Sequence, residues 1–503
     1  MNQHEPHPTS PHDNTQPRTA ASAPPEVDAV ALDRAVGALI GSMVGDALGA
    51  PFEFDSAGQY SLRFPQPVVG GTGEMIGGGG FRWEPGEFTD DSQMAVALAE
   101  SLIANGGIDA VDLWQRWRAW AATASDVGII TRTALSHAEW HGAAEAAHGA
   151  LGRSAGNGAL MRTVAIGLWF AARSHAIFVA GGDATESTMQ AALHQSALTH
   201  HDPAAGWGAA IAAELVRRTI LGADPIEQLA DVLARVPGEV ADRFVSMLHA
   251  DWQPGSPDEP GNGSVWGCLA QAVWALRHHH SFHDVVTAAI DLGDDTDTVA
   301  CVAGALAGAR HGMQAIPSRW VTYLHGRVDT PEGPVRYDNA SLQGLAIRLM
   351  GRTPGGLSAF DRTVGPQQVL PGVWAADLSG AAAATDRDFA VLSLCRTGGA
   401  FAEVPVRREV YVFDQAHVDA NPSLHSAITD AVQTIEAWRA EGREVLVHCH
   451  GGRSRTALVL KAYAMRTNGW SADDAHEWLL GTWPSYDPWN VTFNHFLANE
   501  WAK

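Results

Sequence analysis

Two clusters of adjacent acidic residues have the composition of a cation site. One lies at residues 89–91 in PGEFTDDSQMA, and the other at residues 294–298 in LGDDTDTVACVAGALAGA. Adjacent carboxylates repel each other, and ligand sets made only of oxygen suit hard cations such as Mg²⁺, Ca²⁺ or Mn²⁺. Each cluster directly precedes an apolar helical pattern, so its ligands would stand at a helix N-terminus. Facing each other, the clusters could hold two cations roughly 3.5–4 Å apart.

A simpler interpretation exists for each cluster. Thr-Asp-Asp before a helix is also good N-capping chemistry, and an acidic turn needs no metal. Both clusters occur together with a glycine-rich segment, GSMVGDALGAPFEF at residues 41–54, and in this order along the chain. The combination favours the cation site.

These segments resemble the ADP-ribosylglycohydrolase family, whose members include dinitrogenase reductase-activating glycohydrolase and the ADP-ribosyl-acceptor hydrolases. The resemblance covers roughly residues 32 to 350. Its motifs are G-D-A-L-G…E, P-G-E-x-T-D-D-S-Q-M, G-N-G-A-L-M-R, T-H and G-D-D-T-D-T. It implies an all-α domain with two metal ions, usually magnesium or manganese. The implied reaction is hydrolysis of an N- or O-glycosidic bond to ADP-ribose.

The resemblance also implies roles for individual residues. Glu53 matches an acidic position that some relatives use to activate water or to hold substrate; a metal-bound Asp is the alternative base. Asn157 and Gly158 match a loop along the substrate ribose, whereas His200 is as much a candidate structural histidine as a ligand neighbour. Asp294 stands where many relatives have Gly and is expected behind the ligands. The implied metal ligands are Thr89, Asp90, Asp91, Asp295, Asp297 and Thr298.

A cysteine loop near the C-terminus carries a second chemistry. In EVLVHCHGGRSRTALVLKAY, residues 444–463, a predicted strand runs through a loop with Gly451 and Gly452 into a predicted helix. Cys449 and Arg455 form C-x5-R, and Thr456 follows. Backbone N–H groups of such a loop surround an oxyanion, and with the arginine they would favour a nucleophilic thiolate. The alternative, a buried strand-end cysteine with a chance arginine, does not account for the whole string.

This loop resembles the cysteine-dependent protein tyrosine phosphatase superfamily, closest to its dual-specificity branch, over roughly residues 369 to 503. The resemblance implies a phosphocysteine intermediate, with Arg455 holding phosphate, Thr456 assisting its breakdown and His448 orienting the loop. The family also needs a general acid, for which Asp414 fits and Asp419 competes. No metal is needed, and protein, lipid and nucleotide-sugar phosphates all remain open as substrates.

Composition and hydrophobic pattern divide the chain into four predicted parts. Of the 503 residues, 1–27 are predicted to be a disordered tail and 28–351 an all-α domain. Residues 352–368 form a Gly- and Pro-rich linker, and residues 369–503 an α/β domain with a parallel core. The strands predicted there are FAVLSLC, EVYVF and EVLVHC.

Composition limits the classes of binding partner and the cellular compartment expected for this protein. A net charge of −23 disfavours nucleic acid and anionic membranes as partners, and no apolar run suggests a membrane span. Four cysteines without a disulfide pattern, and no signal peptide, predict the cytoplasm. The expected substrates are an ADP-ribosylated protein or ADP-ribose conjugate and a phosphorylated substrate. The alternatives are small conjugates and small phosphorylated molecules, or one domain acting only as a binding module.

Overall fold

The computed structural model describes residues 27–256, 259–354 and 363–501. The tail predicted to be disordered lies outside these residues except for Val27, and so do residues 355–362 of the predicted linker.

The N-terminal domain is helical, as predicted, with one small addition. A two-stranded antiparallel hairpin, β1 (His325–Thr330) and β2 (Gly333–Asp338), precedes its last helix. Short 3₁₀ turns occur at Ala50–Phe52, Asn157–Ala159 and Met313–Ala315. The helices are α1 (Ala29–Gly49), α2 (Gln59–Arg63), α3 (Asp90–Asn105), α4 (Ala110–Ala121), α5 (Ile129–Leu135), α6 (Ala143–Leu151), α7 (Val164–Val179), α8 (Ala184–Ala197), α9 (Pro203–Ile220), α10 (Leu229–Leu233), α11 (Gly238–Met247), α12 (Val265–His278), α13 (Phe282–Ile290), α14 (Thr296–His311), α15 (Ser318–Val321) and α16 (Asn339–Leu349).

Helices α1 and α14 pack antiparallel at the centre of this domain, with their backbones in contact. A Cβ atom at Gly37 would lie 2.5 Å from the carbonyl oxygen of Gly308, and one at Gly49 would lie 2.5 Å from Cα of Asp297. Only glycine permits this approach, which explains the glycine-rich first motif. The packing sets the C-terminal end of α1 against the N-terminal end of α14.

Helix α1 is long and apolar enough to cross a membrane by length and composition, contrary to the expectation from sequence. However, 94% of its apolar window is buried inside the protein. Its hydropathy is therefore that of a core helix.

The C-terminal domain is α/β, as predicted, with a five-stranded sheet in the order β3-β4-β7-β5-β6. Strands β4, β7, β5 and β6 run parallel, and β3 is antiparallel to β4. A 3₁₀ turn lies at Val418–Ala420 and a π turn at Leu497–Trp501. The elements are β3 (Gln367–Leu370), β4 (Val373–Asp377), α17 (Leu378–Ala382), β5 (Phe389–Ser393), β6 (Arg407–Glu409), α18 (Leu424–Ala440), β7 (Glu444–Cys449), α19 (Ser454–Asn468), α20 (Ala472–Thr482) and α21 (Val491–Phe496).

The prediction of a strand over EVYVF is wrong, because β6 ends at Glu409 and residues 410–413 form a loop. The N–H of Val410 still donates to the carbonyl of Ser393 in β5 at 2.9 Å, and Val410 and Val412, each 4% exposed, pack in the core of the C-terminal domain. Tyr411 packs with the hydrophobic core of the N-terminal domain. The apolar pattern that suggested a strand therefore reflects burial in two cores, with the valines in one and Tyr411 in the other.

The two domains are also joined by hydrogen bonds. Arg408 donates to the backbone oxygens of Val69 and Gly71 at 2.8 and 2.7 Å. The backbone N–H of Ser318 donates to Asp430 at 2.7 Å. The interface is thus a specific contact, with Arg408 itself only 1% exposed.

Candidate functional site

The glycine-rich segment and the two acidic clusters of the N-terminal domain meet at one end of the α1–α14 pair. Thr89 and Asp295 occupy the N-cap positions of α3 and α14, and neither makes a side-chain capping bond. The simple capping interpretation is therefore not what these side chains do. Instead Thr298 Oγ1 lies 3.5 Å from Asp91 Oδ2, which links the two clusters across the site.

Asp46, near the end of α1, organises the first cluster and was not singled out from the sequence. Its carboxylate accepts hydrogen bonds from the backbone N–H and hydroxyl of Thr89, at 3.0 and 2.7 Å. It also accepts from the backbone N–H and hydroxyl of Ser92, at 3.1 and 2.5 Å. The Thr89 hydroxyl donates its hydrogen bond to Asp46, so the lone pairs of its oxygen remain available to coordinate a cation.

The site concentrates negative charge in a buried place. Burial, reinforced by the neighbouring carboxylates, raises the pKa of Asp90, Asp91 and Asp297 well above the usual range. Burial likewise raises the pKa of Glu53 to about 8, with Asp126, Asp295 and Asp46 adding to the effect. A cation among these groups would relieve both the desolvation and the repulsion.

Two unpaired carboxylate oxygens in the cluster indicate that it could bind a cation. Asp91 Oδ1 and Glu53 Oε2 are buried and have no hydrogen-bond partner. Among the described residues, no group of three or more His, Cys, Asp or Glu side chains is already arranged to coordinate a metal ion. The donor set, carboxylates and threonine hydroxyls, nevertheless fits Mg²⁺ or Mn²⁺.

The position of Glu53 is fixed by backbone contacts to the second cluster. The N–H of Phe54 donates to the carbonyl of Asp294 at 2.7 Å, and the N–H of Asp294 donates to the carbonyl of Asp55 at 2.9 Å. Asp294 is exposed and has a φ of 57°, a left-handed conformation that glycine favours and aspartate tolerates. Asp294 therefore contributes to the site through its backbone hydrogen bonds and not through its carboxylate.

Asp126, in the loop between α4 and α5, completes the acidic site. Its charge raises the pKa of Glu53 and Asp90, and the pKa of Asp126 itself is raised by burial and by Asp295. No motif marks it, because it stands alone in the sequence between two helices. Only the packing of that loop over the cluster reveals its role.

The predicted substrate loop supports the second cluster directly. Asn157 Nδ2 donates to Asp295 Oδ2 at 2.9 Å and to the carbonyl of Asn262 at 3.0 Å. His200 is 4% exposed and is hydrogen-bonded through Nδ1 to Thr199 at 2.8 Å, and burial lowers its pKa to about 3. A Cβ at Gly158 would lie 3.2 Å from the His200 ring, so the neutral His200 packs directly against the predicted substrate loop.

The cysteine loop connects β7 to α19, as the sequence predicts. Cys449 ends β7 and is 1% exposed. Gly452 has a φ of 63°, and a Cβ there would lie 2.8 Å from the carbonyl oxygen of Ala376. Trp483 Nε1 donates to the Gly452 carbonyl at 2.7 Å, which fixes the loop from the other side. Gly451 lies beside it, half-buried.

Arg455 and Asp414 come together, and Asp419 lies apart. Arg455 Nη1 donates to the carbonyls of Leu394 and Val412 at 3.2 Å each, and Arg455 Nε lies 3.7 Å from Asp414 Oδ2. The side chain of Asp419 is 81% exposed and faces His417 at 3.8 Å. The geometry therefore favours Asp414 over Asp419 as the acid beside the loop.

His448 and Thr456 lie on either side of the cysteine in the sequence and are fully buried. His448 Nε2 is hydrogen-bonded to the Ser393 hydroxyl at 2.7 Å, and its ring contacts Phe401 at 4.8 Å between centroids. Burial lowers the pKa of His448 to about 3, so it holds the loop as a neutral group. The Thr456 hydroxyl has no hydrogen-bond partner within the described structure.

Comparison with known proteins covers both domains. The family model "ADP-ribosylglycohydrolase" matches residues 28–355, and the model "Dual specificity phosphatase, catalytic domain" matches residues 401–495. The chain is 31% identical to ADP-ribosylarginine hydrolase Tri1 of Pseudomonas putida, over 58% of this chain and 74% of that protein. It is 30% identical to ADP-ribosyl-[dinitrogen reductase] glycohydrolase of Rhodospirillum rubrum, over 59% of this chain and 92% of that protein.

Among solved structures, human DUSP28 is 25% identical, with a TM-score of 0.24, over 28% of this chain and 94% of its own. From the family matches, this chain belongs to the ADP-ribosylglycohydrolase family and continues into a dual-specificity phosphatase-like domain.

Proposed function

We propose that the N-terminal domain hydrolyses the glycosidic bond between ADP-ribose and an arginine side chain, with the help of Mg²⁺ or Mn²⁺. The observation that carries this proposal is the buried carboxylate cluster, with Asp91 Oδ1 and Glu53 Oε2 left unpaired. The arginine linkage is supported by the names of two relatives at 31% and 30% identity, both ADP-ribosylarginine hydrolases.

Two cations would be held by the oxygen ligands of both clusters. When bound, they polarise substrate oxygens and lower the pKa of a coordinated water. Asp46 orients the first cluster through Thr89, and Asn157 orients the second through Asp295. The residues that would hold the cations are Thr89, Asp90, Asp91, Asp295, Asp297 and Thr298.

Glu53 takes the proton of the attacking water in this proposal. The water oxygen forms a bond to the anomeric carbon, the bond from that carbon to the guanidine nitrogen breaks, and the nitrogen takes up the proton that Glu53 received from the water. The products are ADP-ribose and unmodified arginine. Incubation of the full chain with arginine-linked, serine-linked and small-molecule ADP-ribose conjugates, with and without Mg²⁺, tests the proposal; equal rates with and without Mg²⁺ contradict it.

We expect Glu53→Gln to lower glycohydrolase kcat by about 10²–10⁴-fold while leaving Mn²⁺ affinity within a few fold. The amide cannot accept the proton, whereas the proposed ligands are untouched. Steady-state kinetics and calorimetric Mn²⁺ titration measure the two effects. Asp55→Asn is the matched control, because Asp55 lies two residues after Glu53 in the sequence and its side chain is exposed. A variant that loses its metal, or one that keeps the wild-type rate, would count against this role.

We further propose that the C-terminal domain hydrolyses phosphate monoesters through Cys449. The thiolate attacks phosphorus, the bond to the ester oxygen breaks, and Asp414 gives that oxygen its proton. Water then releases phosphate from the cysteine, with Asp414 taking the water proton back and Thr456 assisting. Arg455 and the loop amides, including those of Gly451 and Gly452, hold the phosphate oxygens.

All four cysteines are free, which suits a reducing cytoplasm.

We expect Asp414→Ala to lower turnover of alkyl phosphates by about 10²-fold or more and that of p-nitrophenyl phosphate far less. Nitrophenolate is a good leaving group and scarcely needs protonation. The same change at Asp419 provides the matched comparison, since that carboxylate is exposed and faces His417. Equal losses on both substrates after Asp414→Ala, or a larger loss after Asp419→Ala, would reassign the acid.

A further inference from the structure

The loop that carries Asp414 is closed by the side chain of Asn421, which directly follows the 3₁₀ turn at Val418–Ala420. Asn421 Oδ1 accepts from the N–H of Phe413 at 2.8 Å, and Asn421 Nδ2 donates to the carbonyl of Phe413 at 2.9 Å. This pair of bonds requires one acceptor and one donor, so it fixes the orientation of the amide. Asn421 therefore holds both backbone polar groups of the residue before Asp414.

The N-terminal domain holds Asn421 in turn. Gln314, in the 3₁₀ turn that follows α14, donates from Nε2 to Asn421 Oδ1 at 2.8 Å. Gln314 is 5% exposed and Asn421 is 7% exposed, so water competes little for this bond. The other polar atom of the same side chain, Gln314 Oε1, is buried and has no hydrogen-bond partner within the described structure. A buried acceptor without a donor costs free energy, so stability alone does not explain a glutamine at this position.

The two residues before Phe413 are also held by hydrogen bonds. The carbonyl of Val412 accepts from Arg455 Nη1 at 3.2 Å. The hydroxyl of Tyr411 accepts from Nε2 of Gln343, a residue of α16 in the N-terminal domain, at 2.6 Å. The backbone that leads to Asp414 is thus fixed relative to Arg455 and to the other domain at the same time.

The carboxyl of Asp414 depends on this backbone for its position. Asp414 Oδ2 lies 3.7 Å from Arg455 Nε, and Asp414 Oδ1 accepts from Asn490 Nδ2 at 3.3 Å. Both distances are longer than those of a strong hydrogen bond, so these contacts restrain the side chain weakly. A displacement of about 1 Å at a reacting group can cost roughly 10²-fold in rate, which makes the position of the loop important for proton transfer.

We propose that Gln314 of the glycohydrolase domain is a positioning residue of the phosphatase site. Through Asn421 it holds the backbone at Phe413, and in this way it places the Asp414 carboxyl where that group can protonate the leaving oxygen. This proposal rests on the phosphatase activity and on the role of Asp414 proposed above. One domain thus supports the general acid of the other, whereas Arg455 and the loop amides bind phosphate without its help.

The variant Gln314→Met tests this role in the full chain, since methionine has a similar volume but no N–H to donate. We expect kcat for an alkyl phosphate to fall roughly tenfold, with KM changed by less than about twofold. The kcat for p-nitrophenyl phosphate should fall by less than about threefold, because nitrophenolate leaves with little need of a proton. Gln314→Ala removes the same donor and should behave alike, and the thermal unfolding midpoint shows whether each variant is folded.

A double-mutant cycle separates positioning of the acid from a general structural effect. In the Asp414→Ala background, Gln314→Met should have no further effect on alkyl phosphate turnover, because the acid that Gln314 positions is gone. Asp430→Ala is the matched control. Asp430 accepts from the N–H of Ser318 across the same interface at 2.7 Å, but it belongs to α18 and not to the acid loop. This control should keep the wild-type ratio of the two substrates.

Three results would overturn the assignment of Gln314. They are equal losses on both substrates in Gln314→Met, an undiminished loss when Asp414→Ala is already present, and an equal change of the substrate ratio in Asp430→Ala. Failure of the wild-type chain to hydrolyse even p-nitrophenyl phosphate would instead contradict the phosphatase activity on which the proposal rests.

Discussion

Replacement of Cys449 by serine should lower phosphatase turnover by about 10³-fold or more and leave glycohydrolase turnover unchanged. Serine occupies nearly the same volume at this 1% exposed position, but its hydroxyl is far too weakly acidic to replace a thiolate. Phosphate release and ADP-ribose release, measured on the same preparation, separate the two activities.

Cys395 offers a matched control for the loss of a thiol. It is 6% exposed and lies near enough to Cys449 for Cys449 to add to the rise of the Cys395 pKa. Burial raises the pKa of Cys395 to about 12, so it stays a neutral thiol. Cys395→Ser should therefore keep most of the phosphatase activity. Comparable losses in both variants would show that the nucleophile has been wrongly assigned.

Removal of divalent cations should abolish glycohydrolase turnover, and Asp90→Asn or Asp297→Asn should do the same. The buried carboxylates repel one another, and a cation is the natural partner for their unpaired oxygens. At about a hundredfold excess over Kd, cation binding should add about 2.7 kcal/mol to the free energy of unfolding. Thermal unfolding with and without Mn²⁺ measures this gain, which both variants should lose.

The adjacent carboxylate of Asp294 supplies the control for this experiment. It is exposed, and Asn tolerates its left-handed backbone conformation. Asp294→Asn should keep the stabilisation by Mn²⁺, and phosphatase turnover should survive chelation in every variant. Full glycohydrolase activity in excess chelator, or equal stabilisation of Asp90→Asn and the wild type, would rule out the metal model.

The arrangement of the two sites bears on why they share a chain. Asp33 lines a cavity that also contains Arg455 of the cysteine loop, whereas Asp46 belongs to the acidic cluster. Thirteen residues of one helix separate them, which is about 20 Å along its axis. The sites thus lie at opposite ends of the α1–α14 pair. A product must leave one site before it reaches the other, and cutting the chain at the linker would remove a wall of the cavity beside Arg455.

Sequence reasoning worked best where chemistry is local. The loop from β7 to α19 is a contiguous stretch, so its strand, glycines and arginine could be recognised together. The helices over residues 90–105, 203–220 and 296–311 follow equally from apolar periodicity within each segment. The strand over EVYVF failed because Val410 and Val412 are buried in the core of their own domain and Tyr411 against the other domain, which a local pattern cannot distinguish from burial in a sheet.

The sequence by itself determined two domains, their fold classes and the motifs of both sites, because helical periodicity, strand texture and short loops are encoded among neighbouring residues. Only the tertiary structure decided that Asp46 and Asp126 join the acidic cluster and that Tyr411 packs against the N-terminal domain. These residues act through contacts with segments distant in the chain. The packing of α1 against α14, and of one domain against the other, creates those contacts, and no spacing along the chain records them.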